Sequence, residues 1–60
     1  MKIILDGMGG DNAPEAIVEG AVLASREIEH QILIIGQEEK IRAELDNHRY
    51  DQDKISVINA

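Results

Sequence analysis

The chain has 60 residues, of which 43% are hydrophobic and 30% charged, with one aromatic residue and no cysteine. This length is close to the lower limit for a domain that folds alone, and the lack of cysteine excludes disulfides and thiolate zinc sites. The net charge of −6 argues against nucleic-acid binding, which requires a basic surface patch. We expect residues 1–60 to belong to one domain without an internal boundary, with an aliphatic core.

Membrane and export signals are weak in this sequence. Apolar runs such as Ile32 to Ile35 are far too short to cross a bilayer. The N-terminus lacks the apolar stretch and small-residue cleavage site of a signal peptide. The sequence therefore favours a cytoplasmic protein.

Short apolar runs alternate with helical patterns along the chain. They predict strands at 2–6, 31–35 and 54–59 and helices at 12–29 and 38–46. Strands separated by helices are normally parallel, with right-handed crossovers. The fold class predicted is α/β, a Rossmann-like βαβαβ unit with parallel strands.

The first predicted helix has agreeing start signals. Asn12 is placed as the N-cap residue, with Glu15 three residues later as in a capping box and Pro14 in the first turn. Gly20 lies near the edge of the apolar stripe, where it either lets the helix approach the sheet closely or is a tolerated weak position. The stripe predicted to face the core consists of Ile17, Ala21, Ala24 and Ile28.

The second predicted helix is shorter. Ile41 and Leu45 form its apolar pair, and Glu38 is spaced to pair with Arg42 on the outside. Residues 47–53 form a polar connection to the third strand.

The first two strands have consecutive rather than alternating apolar residues, a pattern typical of strands that are buried on both faces. Two right-handed crossovers in one direction put both helices on the same face of the sheet. The other face would then expose Ile and Leu to water. We expect these residues to open a larger, doubly covered sheet; the alternative is an obligate partner on that face.

The segment from Asp6 to Pro14 is where we expect a ligand to bind. It joins the carboxyl end of a parallel strand to the start of a helix, the edge at which open α/β sheets bind ligands. Its glycines permit positive φ and close backbone approach, and the helix start offers unpaired N–H groups. Phosphate, or the oxyanion of an acyl-transfer intermediate, suits such a loop.

The sequence lacks the motifs that bind nucleotide and metal cofactors. Asn12 stands where a dinucleotide fingerprint needs its third glycine, the second strand ends without an acidic residue, and Gly-Lys-Ser/Thr is absent. His30 and His48 have no third ligand at metal spacing, and Ser25 lacks the context of a serine nucleophile. We expect neither a cofactor nor a metal.

Two carboxylates in the loop have open alternatives. Asp6 could orient a donor or steer the protonation of phosphate, or it could form the turn at the end of the strand. Asp11 could bind a substrate hydroxyl or serve as an alternative N-cap. Met8 is interpreted as a flexible apolar plug.

The loop and its flanks resemble the N-terminus of the PlsX family, the bacterial phosphate acyltransferases of phospholipid synthesis. That family opens Asp-Ala-Met-Gly-Gly-Asp-x-Ala-Pro after a first apolar strand, and the resemblance covers essentially all 60 residues. The chain departs from the pattern at Gly7 for Ala, Gln37 for Asp and Asn59 for His, of which Gly7 is expected to loosen the loop. The matching segments are Asp6-Gly7-Met8-Gly9-Gly10-Asp11-Asn12-Ala13-Pro14, Glu19-Gly20-Ala21, Ile35-Gly36, Glu39-Lys40-Ile41-Arg42 and Lys54-Ile55-Ser56-Val57-Ile58-Asn59-Ala60.

The resemblance implies a fold and an activity. The chain would be the opening part of a larger three-layer α/β sheet, similar to the isocitrate and isopropylmalate dehydrogenases. The enzyme would transfer an acyl chain from acyl carrier protein to inorganic phosphate, forming acyl phosphate. It would be a cytoplasmic homodimer with peripheral membrane contact through regions beyond this chain, and the 60 residues alone would be inactive.

The resemblance also assigns roles within the loop. Phosphate or the oxyanion would be held by Gly9, Gly10, Asn12 and Ala13, while Asp6 and Asp11 would orient the loop. The alternative is a non-catalytic, Rossmann-type phosphate-binding or assembly fragment.

Overall fold

A computed structural model of the chain describes residues 2–9 and 13–60. In these residues the strands form one parallel sheet with the second strand in the centre. The predicted α/β class and the Rossmann-like βαβαβ order are confirmed. The elements are β1 (Lys2–Asp6), α1 (Glu15–Glu27), β2 (Gln31–Gly36), α2 (Glu38–Leu45) and β3 (Ile55–Asn59).

The core lies between one face of the sheet and both helices. Ile32 and Ile34 of β2 point into it and are at most 1% exposed. Both residues of the apolar pair predicted for α2, Ile41 and Leu45, are equally buried, as the sequence predicts. The buried hydrophobic residues that the structure describes in this layer are all aliphatic, and the half-buried Tyr50 packs against them. Its buried members are Val18, Ala21, Val22, Ile32, Ile34, Ile41, Leu45 and Ile55.

The start of α1 differs from the prediction. The helix begins at Glu15, with Pro14 in the N-cap position and without a side-chain cap. Ala13 precedes a proline, and this position disfavours helical backbone angles, so the helix can begin only after the Ala13–Pro14 turn. The predicted capping box is therefore wrong, because Glu15 is the first helical residue and not the third; Asn12 itself lies outside the described residues.

The buried stripe of α1 is rotated by about one residue from the predicted one. Val18, Val22 and Ser25 are buried beside Ala21, whereas the predicted Ile17, Ala24 and Ile28 are only half-buried. The helix packs against α2 as well as against the sheet, which turns the Val18 and Val22 side toward the interior. Ser25 is tolerated there because its hydroxyl donates to the Val22 carbonyl of its own helix at 2.7 Å.

The end of α1 also comes earlier than predicted, at Glu27 instead of Glu29. Ile28 adopts an extended conformation and leads the chain toward β2. The ammonium of Lys54 donates to the carbonyls of Ser25 and Ile28, each at 3.2 Å. A cation at the helix C-terminus satisfies final carbonyls and opposes the negative end of the helix dipole.

The second face of the sheet is uncovered in the described chain. Ile4 is 63% exposed and Ile58 is 46% exposed. Their register partners in β2, Leu33 and Ile35, lie on the same face and are half-buried. This is the arrangement that the consecutive apolar residues of β1 and β2 predict. Neither helix in the described ranges is long and apolar enough for a bilayer span.

Candidate functional site

The carboxyl ends of all three strands meet at one edge, where the chain leaves β1 through the turn Gly7–Gly9. The N–H of Gly7 donates to the Ile35 carbonyl at 2.8 Å, and the N–H of Ala60 donates to the Gly36 carbonyl at 2.9 Å. Both bonds extend the sheet pairing just past the strand ends. The start of the turn is therefore fixed to the centre of the sheet.

Asp6 forms the first part of the turn. Its carboxylate oxygen Oδ1 accepts a hydrogen bond from the Met8 N–H at 2.9 Å. Asp commonly holds a turn in this way, because its short side chain reaches the backbone two residues on. The contact expected of a turn-forming Asp6 is thus present, and a role in orienting the loop toward a ligand stays a prediction.

Gly7 is buried, and the space it leaves is filled. A Cβ at this position would lie 2.7 Å from Cγ2 of Ile34 and 2.8 Å from Cδ1 of Ile41. Such distances are shorter than real side-chain contacts allow, so any larger residue requires its neighbours to move. The expectation that Gly7 loosens the loop is wrong: at this position glycine permits close packing against β2 and α2.

Gly36, at the end of β2, also permits close packing of neighbouring side chains. A Cβ there would lie 2.7 Å from Cγ of Met8 and 3.0 Å from Cδ1 of Ile41. Met8 is therefore seated directly on Gly36, in agreement with its interpretation as an apolar plug. Ile41 contacts the sites of both Gly7 and Gly36, and so links α2 to the turn.

Gly9 is exposed and lies beside the Asp6 carboxylate. A Cβ at Gly9 would be 3.5 Å from Oδ2 of Asp6, an ordinary van der Waals distance. Its φ, like that of Gly7, lies outside the left-handed region. These two glycines therefore do not use the positive φ that glycine permits: Gly7 allows close packing, and Gly9 leaves the backbone open to solvent.

The remaining predicted site residues are placed only in part. Ala13 is half-buried in the turn before α1, so it does not form the predicted helix start. The first-turn N–H groups belong to Glu15, Ala16 and Ile17 instead. The predicted site residues Gly10, Asp11 and Asn12 lie outside the described residues.

An open cleft of about 400 Å³ runs beside the turn. It is mainly apolar, and Asp6 is its one charged residue among the described residues. The cleft lies at the junction of the loop with the uncovered sheet face. Its lining consists of Ile4, Leu5, Asp6, Met8, Ile35, Gly36 and Ala60.

Asn59, at the end of β3, has a role that the sequence analysis missed. Its side-chain oxygen Oδ1 accepts a hydrogen bond from the Glu38 N–H, the first of α2, at 3.1 Å. Gln37 occupies the N-cap position of α2, and its own side chain makes no cap. A poor N-cap residue before a clear helix was the only local signal that a cap had to come from elsewhere.

The remaining polar groups include one ion pair on α2 and two histidines. Nε of Arg42 donates to Oε2 of Glu38 at 2.7 Å, the predicted pair, and this bond raises the pKa of the Arg42 guanidinium. His30 is exposed and His48 half-buried. No cluster of three His, Asp or Glu side chains suited to a metal occurs within the described ranges.

The whole chain, residues 1–60, matches the sequence model of a family described as "Fatty acid synthesis protein". It is 54% identical to the phosphate acyltransferase of Clostridium botulinum strain Alaska E43 over 61 aligned positions. It is 42% identical to the phosphate acyltransferase of Clostridioides difficile over 59 positions, and 47% identical to that of Herpetosiphon aurantiacus over 60.

These alignments include 98% to 100% of the chain but only 16% to 18% of each relative. The chain thus spans less than a fifth of the length of the curated relatives it matches.

Proposed function

Because the chain belongs to the fatty acid synthesis protein family, we propose that it is the N-terminal part of a phosphate acyltransferase of phospholipid synthesis. The enzyme transfers an acyl chain from acyl carrier protein to inorganic phosphate. A phosphate oxygen forms a bond to the thioester carbonyl carbon, the carbon–sulfur bond breaks, and the carrier leaves as its thiol, with the proton that the phosphate hydroxyl releases. The name shared by the relatives supports the acyltransferase class.

The position of the turn is the observation that carries this proposal. Gly7–Gly9 follows β1 directly, at the carboxyl edge where ligands of open α/β sheets bind. Exposed Gly9 leaves its backbone accessible, and the nearest side chain that an approaching anion would meet is the Asp6 carboxylate. Each backbone donor aimed at a developing oxyanion typically contributes about 3 kcal/mol in the transition state.

The residues have distinct roles in this proposal. The backbone of Gly9 and Gly10, together with Asn12 and Ala13, holds the phosphate or the oxyanion. Asp6 and Asp11 orient the loop. The Asp6 carboxylate already accepts the Met8 N–H, which reduces its repulsion of a nearby anion. Holding phosphate at the thioester carbonyl lowers the entropic part of the barrier.

Gly9→Val tests the phosphate site. A Cβ at Gly9 keeps ordinary van der Waals distances, so we expect the variant to fold while its branched side chain occupies the space that an anion needs. We expect a large rise in the KM for phosphate, measured as acyl phosphate release from an acyl carrier protein thioester by the full-length protein. Gly20→Ala is the matched control, because a Cβ at Gly20 meets no atom within 4 Å. Unchanged kinetics for Gly9→Val would refute the assignment.

The proposal includes the oligomeric state and the cellular location of the enzyme. It acts as a cytoplasmic homodimer and contacts the membrane peripherally, through regions outside residues 1–60. Sedimentation of the full-length protein, with and without vesicles of bacterial phospholipid, tests both properties.

A non-catalytic phosphate-binding or assembly fragment is the second candidate, and the exposed backbone of Gly9 at the carboxyl edge of the sheet suits it equally. We expect the isolated 60 residues to release no acyl phosphate, whereas the full-length protein does. Turnover by the isolated chain would contradict this expectation. Absence of turnover in the full-length protein would favour the second candidate.

A further inference from the structure

The N-terminus of α2 is anchored by a residue from the far end of the chain. Asn59 ends β3, and its side-chain oxygen accepts the Glu38 N–H at 3.1 Å, across a separation of 21 residues. Beside it, the Ala60 N–H donates to the Gly36 carbonyl at 2.9 Å. Because Gln37 supplies no cap of its own, the start of α2 depends on β3 for its position.

The same helix supports the glycine turn. Cδ1 of Ile41 lies 2.8 Å from where a Cβ of Gly7 would be and 3.0 Å from where a Cβ of Gly36 would be. The Met8 side chain lies against Gly36, and Gly9 is the next residue of the chain. A displacement of α2 therefore changes the space in which Gly7 and Met8 are held.

We propose that Asn59 is a positioning residue for the phosphate site, acting through α2 and Ile41 on the turn Gly7–Gly9. The inference rests on the proposed function and extends it to a residue outside the loop. Donors that hold an anion must be placed to about 0.5 Å, and a displacement of about 1 Å can cost about 100-fold in rate. Asn59 meets this requirement by fixing the helix against which the turn packs.

The test compares Asn59→Ala with a variant that restores the cap locally. Gln37 has the extended backbone of an N-cap residue, so Gln37→Asp can cap α2 by itself. In the full-length protein we expect Asn59→Ala to lower kcat/KM for phosphate about tenfold, mainly through KM, and Gln37→Asp/Asn59→Ala, whose α2 is capped but no longer tied to β3, to keep most of that loss. Arg42→Ala is the control: it removes the exposed Glu38 pair from the same helix and leaves the phosphate kinetics unchanged.

Amide hydrogen exchange of the peptide containing residues 7–9 gives a readout that does not need catalysis. We expect exchange about fivefold faster in Asn59→Ala and an increase that persists in the double variant, which caps α2 without tying it to β3. Unchanged exchange in Asn59→Ala, or parental exchange in the double variant, would overturn the positioning role, the latter because a cap alone would then suffice. If Asn59→Ala does not fold, the double variant is compared with Gln37→Asp alone: faster exchange in the double variant supports the role, and equal exchange refutes it. A parent that makes no acyl phosphate refutes the proposed function, and the exchange comparison still decides the role of Asn59.

Discussion

The carboxylate of Asp6 accepts a hydrogen bond of 2.9 Å from the backbone N–H of Met8, two residues further along the chain. We expect Asp6→Ala to lower the free energy of unfolding by about 1 kcal/mol, because the turn loses an exposed hydrogen bond. Hydrogen exchange at the Met8 amide should accelerate in the same variant. Chemical denaturation of the full-length protein, followed by circular dichroism, measures the first effect.

Asp6→Asn separates the charge of Asp6 from its geometry. The amide oxygen can still accept the Met8 N–H, so stability should stay within about 0.5 kcal/mol of the parent. Loss of the negative charge beside Gly9 should leave phosphate binding equal or tighter, whereas Asp6→Ala should weaken it. Phosphate titration by isothermal calorimetry checks this order. Weaker binding by Asp6→Asn would mean that the charge itself is required.

We expect substitutions at Gly7 in the turn and at Ile41 in α2 to have coupled effects on stability. Gly7→Ala should destabilise the protein by about 1–3 kcal/mol, because its Cβ would overlap Ile34 and Ile41. Ile41→Val removes the Cδ1 atom at 2.8 Å and should therefore recover part of the loss when combined with Gly7→Ala. A double-mutant cycle from urea unfolding measures this coupling, and strictly additive losses would contradict the proposed contact.

Replacing Gly20 by alanine should stabilise the protein, in contrast to the same replacement at Gly7. Gly20 is exposed in α1, and a Cβ there meets no atom within 4 Å. Gly20→Ala should thus raise the free energy of unfolding by about 0.5–1 kcal/mol, because alanine has the higher helix propensity. Thermal unfolding checks the sign, which is opposite to that expected for Gly7→Ala. A lower Tm would indicate that this side of α1 contacts a part of the protein outside the described residues.

The elements themselves were predictable because each depends on local patterning. The consecutive apolar residues lie in β1 and β2 as predicted, with Ile32 and Ile34 in the core, and the i,i+4 pair Ile41 and Leu45 is buried in α2. The predicted start of α1 is wrong because Pro14 disfavours helical backbone angles at Ala13, and this effect outweighed the capping signal of Glu15.

The candidate site was predictable only in its location. Strands that alternate with helices are parallel, so their carboxyl ends share one edge of the sheet, and the loop after Asp6 lies at that edge. The packing of Gly7 on Ile41 and the cap from Asn59 to Glu38 join residues that are far apart in sequence. Such contacts depend on the position of α2 relative to the sheet, and residue spacing alone does not predict that position.

The uncovered face of the sheet gives the last prediction. Ile4 and Ile58 are 63% and 46% exposed on that face. Exposed contiguous apolar surface drives association in water, so the isolated 60 residues should self-associate in analytical ultracentrifugation. Replacing both isoleucines by lysine should shift the isolated chain toward monomer. In the full-length protein the same pair of substitutions should lower the Tm, because a covering layer would then meet buried charges.

Leu23→Lys is the matched control for this experiment. Leu23 is 54% exposed, as is typical of single apolar residues on a surface, but it lies on α1 and not on the uncovered sheet face. If the sheet face is the associating surface, Leu23→Lys should leave the sedimentation coefficient of the isolated chain unchanged. A stable, cooperatively folded monomer of the parent chain would show that this face needs no cover. Equal dispersal by Leu23→Lys would show that exposed apolar residues in general, and not the sheet face, cause the association.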